Sequence, residues 1–321
     1  MQKLAFIFPG QGSQSVGMGK DLVDNFPVAR ATFEEADAAL GYKISDLCFN
    51  GPEEKLKLTE ITQPAILTVS VASYRVLQEK GVAPVMVAGH SLGEYSAHVA
   101  AGTISFADAV RTVRSRGRYM QEAVPVGVGA MAAILGMAPD AVAAVCNEAA
   151  QGEVCQPANI NSPEQIVISG SKGAVERAAE LAKERGAKRA IMLQVSAPFH
   201  CALMHPAEER LAADLEKLAF NDPRVPVVTN IDGVAKDSAT ASRDALIRQV
   251  TGAVQWVRCM QTMIAAGVEN FVEVGPGKVL CGLVRQIDRS KSCVNVEDDA
   301  SLLKCLEKLA DSGRPTADSL L

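Results

Sequence analysis

The residues with the most chemical promise stand at the end of a short apolar run. Val85-Met86-Val87-Ala88 leads into Gly89-His90-Ser91-Leu92-Gly93, and a helical pattern follows through Ala100. Strand, sharp turn with a serine at its tip, then helix is the context a nucleophile elbow needs. Gly89 and Gly93 have no Cβ, so strand and helix can close around a strained turn. Ser91 Oγ is left pointing outward, and the unpaired N–H groups that begin the helix can hold a developing oxyanion. Such a serine needs a base, and the chain has four histidines. His90 is expected to point away across the tight turn. His98 lies two helical turns on, and His205 belongs to the following segment. His200, in a loop between a strand and a helical pattern, is the best candidate, with a structural histidine as the alternative.

Arg116 is the second informative residue. Ser105 and Asp108 form a capping-box-like start to a helix that reaches about Val124. Its apolar stripe is Ala109, Val113, Gly117, Met120 and Val124. Arg111, Arg114 and Arg118 fall away from the stripe, whereas Arg116 lies on its flank. An arginine facing inward needs an anion or several acceptors, because an unpaired buried charge is very costly. A structural partner would serve, and so would an anionic group on the substrate. Gln11 is a further candidate, in the glycine-rich loop Gly10-Gln11-Gly12 after a first strand, Lys3 to Pro9. Ligands bind at that edge of open α/β sheets, although an exposed loop amide explains it equally well. The loop is not a dinucleotide fingerprint, since Ser15 stands where that pattern needs glycine.

The elements that must position these residues are those of a large α/β protein. The chain has 321 residues, 48% hydrophobic and only 4% aromatic, which suits helices layered on a parallel sheet. A net charge of −5 gives no overall basic field for nucleic acid. The one apolar run near the start, Leu4 to Phe8, is too short to span a membrane. The eight cysteines are scattered without zinc spacing, so no metal is expected, and they read as reduced thiols of a cytoplasmic protein.

Residues 17 to 80 look mostly helical, with a long helix from Pro64 to Lys80 ended by Gly81. From about Gly127 the period changes. Strands at 130–135, 154–160, 165–169 and 188–195 alternate with helices at 140–150 and 171–185. This βαββαβ order is the ferredoxin-like pattern. The spacing therefore predicts a small domain, 127–196, inserted into a larger one made of 1–126 and 197–321. Strands at 225–229 and 271–274 follow, with helices at 241–250, 256–266 and 279–288. Trp256 reads as core, and the residues from Asp311 as a frayed tail.

Five segments together carry a family resemblance: Phe8-Pro9-Gly10-Gln11-Gly12-Ser13-Gln14, Gly89-His90-Ser91-Leu92-Gly93-Glu94-Tyr95, Arg116-Gly117, Pro198-Phe199-His200 and Glu273-Val274-Gly275-Pro276-Gly277. In this order, over nearly the whole chain, they resemble the malonyl-CoA:acyl carrier protein transacylases. The resemblance implies an α/β-hydrolase-like large domain with a ferredoxin-like small one. It implies Ser91 as nucleophile, His200 as base and Arg116 as the group that binds the malonyl carboxylate. The oxyanion donors would be the N–H groups of Gln11 and Leu92. The Gln249 backbone carbonyl would orient the histidine in place of a triad acid. Asn159 would line the site, and Phe199 would disfavour a branched acyl group. The expected partners are malonyl-CoA and acyl carrier protein, with no cofactor, no nucleic acid and no membrane, and the protein acting as a monomer. A serine hydrolase on the same elbow and an idle carrier-docking module are the competing classes.

Overall fold

In the computed structural model of the chain, which describes residues 3–311, two sheets organise the fold. The strands are, in chain order, β1 (Lys3–Phe8), β2 (Met86–Gly89), β3 (Gly129–Leu135), β4 (Cys155–Ser162), β5 (Gln165–Ser171), β6 (Arg189–Met192), β7 (Val227–Val228), β8 (Ala235–Lys236), β9 (Val268–Val274) and β10 (Ser292–Val296). The larger sheet has the order β10-β9-β1-β2-β7-β8. It is parallel throughout except for the β7–β8 pair at its edge. The central strand β1 shows why this sheet is covered on both faces. Leu4, Phe6 and Phe8 join one core cluster, while Ala5 and Ile7 join another, as alternate residues of a strand must. Helices supply the other side of each cluster, among them Thr59–Glu79 on one face and Trp256–Ala265 on the other.

The smaller sheet is antiparallel, in the order β4-β5-β3-β6. One face carries Ala132, Ile134, Ile166 and Ile168 against the helices Pro139–Ala150 and Lys172–Glu184. The opposite face, with Met131 and Val167, belongs to the main core and turns toward the larger sheet. Two backbone hydrogen bonds fasten the smaller sheet to the segment before the helix Trp256–Ala265: Ile160 N–H to Val254 O and Val254 N–H to Ala158 O. They pin β4, and Asn159 with it, beside the elbow.

Several elements differ from the sequence pattern. The long helix begins at Thr59, so Pro64 lies inside it. Thr62 makes the early start possible, because its side chain donates to Leu56 O and Leu58 O and its N–H to Leu58 O. Strand β10 and the helix Asp299–Asp311 are additional to that pattern; the helix is legible in the spacing of Leu302, Cys305, Leu306 and Leu309. The strand is the half-polar Ser-Cys-Val-Asn-Val, legible only through its pairing with β9. Asp311 closes a helix, and the rest of the expected tail lies outside the described residues. The cysteines are not all free. Cys281 and Cys293 are bonded, with their Cα atoms 5.2 Å apart, where the helix Val279–Ile287 returns to β10. Scattered spacing along the chain hides this proximity. Among the described residues, no helix is long and apolar enough to cross a membrane.

The elbow is the tightest junction in the fold. A Cβ on Gly89 would lie 1.9 Å from Gly93 C and O, and one on Gly93 would lie 2.1 Å from Phe8 O. Gly282, inside a helix, faces open space instead. Gly89→Ala should therefore cost about 3 kcal/mol or more in chemical denaturation, since only backbone can give way. Gly282→Ala should gain about 0.5–1 kcal/mol from helix propensity. Equal, small effects at both positions would contradict this account of the junction.

Candidate active site

Three parallel strands deliver the site at their carboxyl ends, where loops of open α/β sheets gather ligands. After β2 the chain turns through Ser91, whose φ of 50° lies in the left-handed region that serine rarely occupies. After β1, Gly10 lets the next loop press on the elbow: a Cβ there would meet His90 O at 2.5 Å. After β7 comes Asn230, which is fully buried. Its Oδ1 accepts the Ser91 N–H at 2.7 Å and its Nδ2 donates to Gly89 O at 2.7 Å. One side chain thus satisfies the polar groups that the strained turn leaves over. The N–H groups of Leu92 and Gln11 donate to no acceptor among the described residues.

His200 meets the serine from the loop after β6. Ser91 Oγ and His200 Nε2 are 2.7 Å apart. His200 Nδ1 lies 2.9 Å from the Gln249 carbonyl. A carbonyl only accepts, so the proton sits on Nδ1 and Nε2 is left as the acceptor. The Gln249 carbonyl is available because this residue caps the helix Ala239–Arg248, and the last carbonyls of a helix have no partner within it. His200 also has a left-handed φ, 59°. Two strained residues facing each other are the pattern of a reactive centre held by its surroundings. Burial, reinforced by the nearby Arg116 charge, pushes His200 down to about 3. The imidazole is therefore neutral and able to accept a proton.

Arg116 turns inward as its helix position predicts, while Arg111 and Arg118 remain in solvent. Its neighbour Gly117 explains how it gets there. A Cβ at 117 would meet Thr59 O at 2.6 Å, so glycine lets the helices Phe106–Glu122 and Thr59–Glu79 approach. Arg116 Nη1 then donates to Gln63 Oε1 at 2.8 Å, and Nη2 to Gln249 Oε1 at 2.9 Å and Ser91 Oγ at 3.2 Å. Nε has no partner. Structural acceptors are thus present, but none is a carboxylate: the guanidinium rests on two neutral side-chain amide oxygens and a hydroxyl, with no anion in contact.

Ser91, His200 and Arg116 line one cavity of about 220 Å³, together with Gln11, Leu92, Asn159 and Phe199. Gln249 stands behind it. Met131, Val167, Leu193 and Val195 of the smaller sheet and its exit close the far wall. His90 departs from expectation. Its ring also lines the cavity, with Nε2 donating to Asn161 Oδ1 at 2.7 Å and the ring 5.5 Å from Trp256. The turn directs it sideways into β4, which approaches only in the folded chain. His205 is exposed and remote, and His98 is buried without contact to the cavity.

The chain matches the acyl transferase domain family over residues 5–305. It is 53% identical to the malonyl CoA-acyl carrier protein transacylase of Escherichia coli K12 over 308 residues, 96% of this chain and 100% of that one. The crystal structure of an acyl carrier protein S-malonyltransferase from Vibrio cholerae matches with a TM-score of 0.93 at 52% identity, covering 94% of this chain and 99% of the other. A malonyl-transacylase in complex with its type II PKS acyl-carrier protein matches with a TM-score of 0.93 at 50% identity, covering 95% and 99%. The chain belongs to the malonyl CoA-acyl carrier protein transacylase family.

In this transacylase the residues that the motifs do not announce are Gln63, Asn230 and the carboxamide of Gln249. Gln249 Nε2 donates to Ser91 O and Glu94 Oε2, each at 3.0 Å. With its carbonyl on His200 and its Oε1 on Arg116, this one glutamine touches Ser91, His200 and Arg116 through side chain or backbone. A buried amide, in a helix like Gln63 or after one like Gln249, has no sequence signature of its own; only the Gln249 backbone role is implied by family likeness. The Glu273 motif also has a structural account. Its carboxylate accepts the N–H groups of Leu280 and Cys281, capping the helix Val279–Ile287.

The depressed His200 has a measurable consequence. An ordinary imidazole would protonate near about 6.5 and silence the base below that pH. Burial and Arg116 both disfavour the imidazolium, so the neutral form persists as pH falls. The acid limb of kcat/KM should lie well below 6.5 and move upward in Arg116→Ala. A loss of activity on lowering pH through about 6.5, seen with acetyl-CoA as well as malonyl-CoA, would contradict this.

Proposed function

We propose that this protein transfers the malonyl group from malonyl-CoA to the phosphopantetheine thiol of acyl carrier protein through a malonyl-serine intermediate, supplying units for fatty acid synthesis. The observation that carries this reading is the guanidinium of Arg116. It is fully buried, it lies 3.2 Å from Ser91 Oγ, and it has only neutral acceptors. A buried cation of this kind calls for an anion. An acyl group ending in a carboxylate, joined to the serine, supplies one within reach of a two-pronged donor.

In the first half-reaction His200 Nε2 takes the Ser91 proton as Oγ attacks the thioester carbon. The N–H groups of Gln11 and Leu92 hold the oxyanion. His200 returns the proton to the departing coenzyme A thiolate. In the second, the carrier thiol gives its proton to His200 and attacks the ester, and Ser91 is regenerated. Phe199, at the cavity rim, disfavours a branched acyl group, and Asn159 lines the acyl pocket. No cofactor enters these steps.

We read the larger sheet with its helices, residues 1–126 and 197–321, as an α/β-hydrolase-like domain. Residues 127–196 are read as an inserted ferredoxin-like domain, which the βαββαβ order and the strand order β4-β5-β3-β6 support. A monomer is the working form, because one chain supplies every residue of the reaction. Six buried free cysteines favour the cytoplasm.

Brief exposure to malonyl-CoA should add one malonyl group to the intact protein, and Ser91→Ala should abolish it. An undiminished adduct in Ser91→Ala would sink the assignment. Arg116→Ala leaves the malonyl carboxylate without its partner, at a cost of about 2–5 kcal/mol. The ratio of kcat/KM for malonyl-CoA over acetyl-CoA should therefore drop by roughly 10²–10³. An unchanged ratio in a folded variant would make Arg116 structural. Product formed equally well without carrier protein would point to a hydrolase.

A further inference from the structure

Glu94 is the acidic side chain in the network behind Ser91, and the steps above leave it unused. It is fully buried. Its Oε2 accepts the Asn230 N–H at 2.7 Å and Gln249 Nε2 at 3.0 Å. Its Oε1 has no hydrogen-bond partner and faces His98 Nε2 at 3.9 Å. Both ring nitrogens of His98 lack partners as well. These two groups do not form an ion pair, because burial pushes His98 down to about 3 and leaves it neutral. An oxygen that can carry a proton thus faces a nitrogen that can accept one. On its other side, Glu94 reaches Arg116 through a single carboxamide. Gln249 Nε2 binds Glu94, and Gln249 Oε1 binds the same Arg116 nitrogen that lies against Ser91 Oγ.

We propose that Glu94 is a positioning residue for malonyl selectivity: charged, it acts through Gln249 as the counter-ion of Arg116, and protonated on Oε1, toward His98, it leaves the guanidinium to the malonyl carboxylate. This rests on the reading of Arg116 given above. The step is a simple protonation, the proton coming from solvent, with no other bond made or broken. The remaining groups around Glu94 hold their charge state near neutral pH. Burial raises Tyr95 and Cys259, which stay neutral, and hydrogen bonds from Lys236, Val234 and Thr229 keep Asp232 low and charged. Arg116 remains a cation, and His200 is neutral. Glu94 itself is pushed up to about 7 by burial, against the opposing pull of the Asn230 and Gln249 N–H groups and of Arg116.

The sign follows directly. Below that value Glu94 is protonated and Arg116 is free; above it the carboxylate competes with malonyl. The test is the kcat/KM ratio of malonyl-CoA to acetyl-CoA from about pH 5.5 to 8.5, a range in which the malonyl carboxylate stays ionised. Ionisations of coenzyme A, the acceptor thiol and His200 are common to both substrates and cancel. The wild-type ratio should fall roughly 10- to 100-fold across the range, as for charges about 6–12 Å apart at an effective dielectric of about 20. Glu94→Gln keeps an oxygen for both N–H donors and offers its NH₂ to His98, so its ratio should stay flat near the low-pH wild-type value. A flat wild-type ratio overturns the proposal even if the variant fails to fold, and so does an unchanged slope in Glu94→Gln. If the wild type transferred no malonyl at any pH, the proposed function would fall first and this inference with it.

Discussion

The turn at Ser91 holds the backbone in a conformation that a serine does not choose, and much of the molecule is arranged to keep it there. Gly89 and Gly93 remove the atoms that would block the turn. Gly10 lets the first loop press against it, bringing Gln11 to the cavity. Asn230 takes the serine N–H and returns a hydrogen bond to Gly89 O, and Gln249 caps the serine carbonyl. Each bond answers a polar group that the turn would otherwise leave buried and unpaired, at a cost of about 1–3 kcal/mol apiece. The strain is thereby spread over three strand ends.

Charge is handled differently from strain. Arg116 could have been neutralised by a touching carboxylate, which would have made it a structural ion pair. Instead it is given amide oxygens, enough to hold its direction without cancelling its charge. The cation also lowers the affinity of His200 for a proton and lies 3.2 Å from Ser91 Oγ. Gln249 links these effects, because its backbone carbonyl fixes the imidazole tautomer while its side chain steers the guanidinium.

The smaller sheet contributes a wall more than chemistry. Its outer face packs on its own two helices, and its inner face supplies Met131 and Val167 to the cavity. The bridge between Asn159 and Val254 fixes its distance from the elbow. The cavity is small, about 220 Å³, and its apolar side chains share the lining with polar ones, among them Gln63, Asn159 and Asn161.

What the sequence determined by itself is local. The elbow, the Ser105–Asp108 cap, the inward face of Arg116 and the change of period near Gly127 all follow from spacings within a few residues, where helix and strand geometry leave little choice. Loop position singled out His200 among four histidines as the candidate partner of Ser91, whereas the Gln249 carbonyl came only from whole-chain likeness to a family, since no spacing rule joins residues so far apart. Tertiary structure alone decided the rest. Gln63, Asn230 and the Gln249 carboxamide are ordinary amides with no periodic signature, and His90 turns toward Asn161 only because β4 is there to receive it. Strand β10 needed its neighbour to be a strand, and Cys281 met Cys293 only once a helix folded back. Hydrogen bonding and proximity across long loops depend on where the chain returns, and a pattern read along the chain carries no record of that return.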